Sequence, residues 1–124
     1  MKVYVASKAK HASLWRRWRP TLAAAGIQIA ASWIDHVGEA DTALWVTSVR
    51  EAQQADALVA WLDPDELHKG DLVEIGAQLA AGGTVYLLGE APEGHSWMMH
   101  SQVRRVADLD RLIAALNAPC GGNG

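Results

Sequence analysis

Cysteine is nearly absent from this chain: Cys120 is the only one in 124 residues, within the run Pro119-Cys120-Gly121-Gly122. An internal disulfide and a cysteine-based metal cage are excluded, and a reducing, cytoplasmic setting is the expectation. The five histidines are scattered, and His95 and His100 do not have the spacing of a helical zinc pair, so neither a metal nor any other cofactor is expected. Excess positive charge is missing as well. Eleven Lys and Arg stand against fourteen Asp and Glu, a net charge of -3, which argues against a nucleic-acid polymer as partner and for a small molecule. Long apolar runs are lacking: Lys2 is followed by four apolar or aromatic residues before Ser7, too few for a signal peptide or a membrane span. No serine occupies a Gly-x-Ser-x-Gly elbow, so a Ser-His-Asp hydrolase has no support. Repeats and linkers are also wanting. With half its residues apolar, the chain can bury one core but not two. A single domain over residues 1–118 is expected, with a disordered tail over 119–124.

What is present alternates. Val3-Tyr4-Val5-Ala6 reads as a strand, and Lys8 to Ala25 follows with helical spacing through Ala12, Trp15, Trp18 and Leu22. Gly26 closes that helix, and Ile27 to Ile34 reads as a second strand. Asp41 or Thr42 can cap a helix carrying Leu44, Trp45, Ser48, Val49 and Ala52, and Ala57 to Leu62 reads as a fully buried strand. A third helix runs from Asp71 to the Gly82-Gly83 pair, Thr84 to Leu88 forms the fourth strand, Gln102 to Val106 a short edge strand, and a last helix begins at Asp108 or Asp110. Strands and helices in this order predict an α/β fold, a five-stranded parallel sheet with helices on both faces in a Rossmann-like or flavodoxin-like three-layer sandwich. Ligands belong in the crevice at the strands' C-terminal ends.

The segment from Asp63 to Ala77 joins the third strand to the third helix through an acidic loop. It brings Asp63 and Asp65 to that crevice and places Glu74 in the first turn of the helix. Two readings of Glu74 compete. A carboxylate there can attack a sugar carbon; alternatively Asp71-Leu72-Val73-Glu74 is a capping box tying off amides at the helix start. Leu72, Ile75 and Leu79 share one face, which leaves Glu74 and Gln78 on an adjoining face that either meets solvent or borders a pocket.

Val3-Tyr4-Val5-Ala6-Ser7, Ala55-Asp56 to Asp63-Pro64, Gly70 to Gly76 with its Glu-Ile-Gly core, and the Gly82-Gly83-Thr84-Val85 turn together resemble the nucleoside 2-deoxyribosyltransferase family, including its short phage-type and nucleotide-hydrolysing relatives. The resemblance covers most of the chain up to about Gly89. It implies that Glu74 is the nucleophile that takes a 2-deoxyribosyl group from a base as a covalent sugar ester. Such chemistry is reasonable, because breaking an N-glycosidic bond builds positive charge on the anomeric carbon, which a carboxylate stabilises and traps. A second base or water then resolves the ester. The chain also departs from the family pattern, with His68 and Lys69 where many members carry an aspartate, and Thr47 and Ser48 where they carry an acidic residue. Asp63 is therefore the first choice for assisting at the base or sugar, with Asp35 and Asp41 as substitutes.

The resemblance further implies that Tyr4 and Ser7 contact the sugar or a neighbouring carboxylate, although a buried strand tyrosine is an equally ordinary reading. Lys8, Lys10 and His11 begin the first helix, where cations and free amides can hold a 5'-phosphate, yet no glycine-rich cradle accompanies them. Trp33 can stack on a nucleobase or serve the core. In the Trp15-Arg16-Arg17-Trp18-Arg19 run, tryptophans three apart bury one face while arginines coat the other, so the run reads as structural. The loop from Gly94 to His100 is of the functional kind; Ser96 and Met98 resemble residues that the nucleotide-hydrolysing relatives contribute to a neighbouring subunit's pocket, which implies a homodimer or larger homo-oligomer.

The sequence thus predicts cleavage or transfer at the N-glycosidic bond of a 2'-deoxynucleoside or deoxynucleotide. The alternatives are a non-catalytic nucleotide-binding module of the same fold and a hydrolase that cleaves a nicotinamide dinucleotide.

Overall fold

Strand β1 (Lys2–Ser7) is buried at every position after the first, which is what a strand covered on both faces requires. The computed structural model describes residues 1–39 and 41–118; the tail expected over 119–124 lies outside the described residues. A 3-10 turn at Ala9–His11 leads into α1 (Ala12–Ala24), and Gly26 then takes φ 80°, a left-handed conformation that glycine adopts without strain. β2 is shorter than expected. Only Gln28–Ile29 pairs with β1, and the rest of the anticipated strand folds into a 3-10 turn at Ser32–Asp35. Its apolar residues are inside for a different reason: Ala31 and Ile34 are buried beneath the turn rather than in a ladder.

Helix α2 (Thr42–Gln54) is capped by Asp41, whose side chain accepts from the Leu44 amide. β3 (Ala57–Trp61), α3 (Gly70–Ala80), β4 (Thr84–Leu88), a 3-10 turn at Ser96–Met99, β5 (Val103–Val106) and α4 (Leu109–Leu116) complete the chain. Asp108 caps α4 by accepting from the Arg111 amide.

All five strands are parallel, in the order β2-β1-β3-β4-β5. This is the expected doubly wound sheet. From β1 the chain moves outward to β2, then crosses back to β3 on the other side of β1, so the connections diverge at the C-terminal ends of β1 and β3 and open a crevice there. Ser7 and Trp61 face each other across that end. Helices α2 and α3 pack against one another on one face, and Gln78 bonds them together: its buried amide donates to the carbonyls of Ala52, at 2.8 Å, and Ala55. On the opposite face Trp15 is fully buried and meets Trp18 edge-on, with ring centroids 5.5 Å apart. The Trp-Arg run is therefore core on one side. No helix among the described residues is long and apolar enough to cross a membrane.

Candidate active site

The helix that carries Glu74 starts without the capping box. Lys69 occupies the capping position and makes no side-chain bond to the helix, while Asp71 and Glu74 are engaged elsewhere. Ile75 enters the core at 2% exposure and Glu74 is only 7% exposed, so the face adjoining Leu72, Ile75 and Leu79 lies inside the protein. From the middle of β1, Tyr4 reaches Glu74, and its hydroxyl donates a short hydrogen bond to Glu74 Oε2. One carboxylate oxygen is thus held by Tyr4.

Burial in this setting disfavours a charged carboxylate, and Asp71 and Glu51 add repulsion. The Tyr4 hydrogen bond pulls the other way. The balance pushes the Glu74 pKa up to about 7. Tyr4 itself is raised far above the ordinary phenol, first by its burial and then by the Glu74 charge, so it remains a donor at any working pH.

Glu74 and Asp71 form one wall of a cavity of about 300 Å³, at the small end of the range for ligand sites. Ser7 and Lys8, where β1 ends, line it as well, together with Trp33, Trp45 and Ser48. Trp33 is fixed by its indole N–H, which donates to the Val5 carbonyl at 2.9 Å. Ser7 accepts from Trp15 Nε1 at 2.7 Å. Trp45 rests on Gly70: a Cβ at that position would lie 2.6 Å from the tip of the Trp45 ring, so glycine here sets how closely the ring approaches the start of α3. A larger depression of about 1000 Å³ runs along the open edge beside β2. Glu74 does not line it, and the smaller cavity is the one that joins a perturbed carboxylate to aromatic walls.

Four of the expected residues, Tyr4, Ser7, Lys8 and Trp33, thus gather around Glu74. Others do not. Asp63 is outside this cavity because His11 claims it, with Nε2 lying 3.0 Å from both carboxylate oxygens. Burial works to raise the Asp63 pKa, but the His11 bond and charge outweigh it and hold the group below the usual carboxylate range. Asp35 sits at the mouth of the β2 edge depression, where it pairs with Arg19 at 3.1 Å. Met98 lines a second cavity, of about 360 Å³, formed with the Pro64–His68 loop of its own chain, and Ser96 lines neither. In that second cavity Trp97 Nε1 is buried without a hydrogen-bond partner among the described residues. Lys10 pairs with Glu66, and Lys8 Nζ donates to the Leu67 carbonyl at 2.8 Å, so of the three groups considered for a phosphate only Lys8 borders the Glu74 cavity.

Sequence reasoning passed over Trp45 as a wall of the site and the pair formed by His68 and Asp71. His68 Nδ1 lies 2.5 Å from Asp71 Oδ2, and both side chains are nearly inaccessible. The i,i+3 spacing across the start of α3 was the available signal.

The sequence matches no protein-family model and no curated protein. Solved structures do share its fold. A 2-deoxyribosyltransferase from Bacillus psychrosaccharolyticus superposes with a TM-score of 0.70 at 18% identity, over 98% of this chain and 95% of that one. The CMP N-glycosidase BcmB of Clostridium botulinum gives 0.66 at 16% identity, over 94% and 98%. A conserved protein from Enterococcus faecalis V583 gives 0.62 at 17% identity, over 92% and 95%. The chain therefore has the α/β fold of these proteins along nearly its whole length, which is the fold of the family that its motifs resemble.

Proposed function

We propose that this protein cleaves or transfers at the N-glycosidic bond of a 2'-deoxynucleoside or deoxynucleotide, with Glu74 as the nucleophile. The observation that carries the proposal is the buried Tyr4–Glu74 hydrogen bond on the wall of an aromatic-lined cavity. With Oε2 held by Tyr4, the free oxygen of Glu74 attacks the anomeric carbon while the bond to the base breaks. Low local polarity strengthens the attraction between the carboxylate and the positive charge that develops on the sugar. A sugar ester on Glu74 results, and an incoming base or water displaces it. Trp33 and Trp45 supply flat apolar surface for a nucleobase, and Lys8 supplies a cation beside the sugar. The fold shared with a 2-deoxyribosyltransferase and a CMP N-glycosidase agrees with this chemistry. The working unit proposed is a homodimer or larger homo-oligomer acting on a small molecule without a cofactor.

The test is to incubate the protein with separate deoxynucleosides and deoxynucleotides and to follow free base, with and without a second base as acceptor. Glu74→Gln abolishes base release while leaving the fold intact. Turnover retained by that variant would remove Glu74 from the nucleophile's role.

A further inference from the structure

Asp71 shares the cavity wall with Glu74 and is only 8% exposed, and behind it stands His68. The partners of the imidazole favour one arrangement of its hydrogens. Nε2 lies 3.2 Å from the backbone carbonyl of Asp63, which accepts only, and this contact favours a hydrogen on Nε2. Nδ1 lies 2.5 Å from Asp71 Oδ2, and a lone pair facing a carboxylate at that distance would be repelled. One proton therefore belongs to the contact, as imidazolium with carboxylate or as neutral imidazole with carboxylic acid. Glu74 faces the same cavity without such a partner, and Lys8 and Glu39 are the other charged groups on its walls.

Resting on the reading of Glu74 as nucleophile, we propose that the His68–Asp71 pair stores the proton that the departing nucleobase takes up, and that Asp71 delivers it. As the Glu74 oxygen bonds to the anomeric carbon, the bond to the base nitrogen breaks and its electron pair leaves on that nitrogen. The nitrogen takes the stored proton from Asp71, leaving neutral imidazole against carboxylate. Their mutual repulsion favours recovery of a proton. The water or incoming base that displaces the sugar from Glu74 gives up a proton to Asp71 and restores the pair. Asp71 is then the catalytic acid and base, and His68 the residue that positions it and keeps the proton available. Asp63 contributes its backbone carbonyl, which fixes the imidazole ring, and not its carboxylate.

The assignment is tested by changing the demand for a proton. Asp71→Asn and His68→Asn are compared with the unmodified protein on a deoxynucleoside, whose base leaves poorly without protonation, and on 4-nitrophenyl 2-deoxyriboside, whose nitrophenolate leaves without one. Both variants are expected to lose about 100-fold or more in base release, the scale of a general acid's contribution, and to release the first equivalent of nitrophenolate, before the sugar ester has to be displaced, within a few-fold of the original rate. Proton NMR of the unmodified protein is expected to show a strongly downfield Nδ1 resonance that both variants lack. Equal losses on the two sugars, or no loss on either, would overturn the assignment while leaving Glu74 in place. Protein inert toward both sugars would overturn the parent reading and this one with it. Glu74→Gln, by contrast, abolishes both reactions.

Discussion

A single phenol decides the charge state of the proposed nucleophile. Glu74 is pushed up to about 7 by burial, with Asp71 and Glu51 adding to the rise, and only the Tyr4 hydrogen bond opposes it. At neutral pH a substantial fraction of Glu74 is therefore protonated and unable to attack. Tyr4→Phe removes the opposing bond, so the Glu74 pKa rises further and the acid limb of the rate profile moves to higher pH. Base release by Tyr4→Phe is expected to fall most at pH 6 and to recover partly by pH 9; an equal loss at every pH would assign Tyr4 to shape alone. The motif around Glu74 was legible in the sequence as a strand-loop-helix junction, whereas the contact of Tyr4 with a carboxylate followed only from the family resemblance, because a buried strand tyrosine looks the same in sequence. Asp63 was not legible. Which partner a loop carboxylate finds depends on packing, and its partner, His11, is 52 positions away.

At the scale of elements, α3 is positioned by contacts at both of its ends. At its start Gly70 admits the tip of the Trp45 ring. Gly70→Ala displaces that half-exposed ring from its place on the cavity wall, and the expected result is a several-fold higher KM with little change in Tm. Toward its end Gln78 holds the C-terminal carbonyls of α2. Gln78→Leu leaves the buried Ala52 carbonyl and the partly buried Ala55 carbonyl without this donor and is expected to cost about 1–3 kcal/mol in denaturant unfolding. β1, β3 and β4 were readable because a strand covered on both faces must be continuously apolar. The same logic overextended β2: Ala31 and Ile34 are apolar because a turn buries them, and periodicity over eight residues does not distinguish that from a strand. Pairing between His68 and Asp71 left only its i,i+3 spacing as a signal, a weak one because it spans the boundary between loop and helix.

For the whole molecule, the buried acid has a thermodynamic consequence that does not depend on substrate. A carboxyl whose pKa rises from 4.5 to about 7 on folding binds more protons in the folded state across that interval, so the fold loses stability as pH climbs through it. Below about pH 4.5 both states are protonated and the effect vanishes; above pH 7 it is fully developed. A shift of this size corresponds to about 3 kcal/mol. Glu74→Gln keeps an oxygen to accept from Tyr4 and removes the charge, so its stability should lack this component. Urea unfolding at pH 5 and pH 8.5 is expected to show the variant nearly equal to the unmodified protein at the lower pH and more stable by roughly 2–3 kcal/mol at the higher one. If the two curves stay parallel across that range, Glu74 is not the buried, destabilised carboxylate that the chemistry needs. A gap that opens with rising pH, joined to lost base release in the same variant, would show that the carboxylate which costs the fold stability is the one that attacks the sugar.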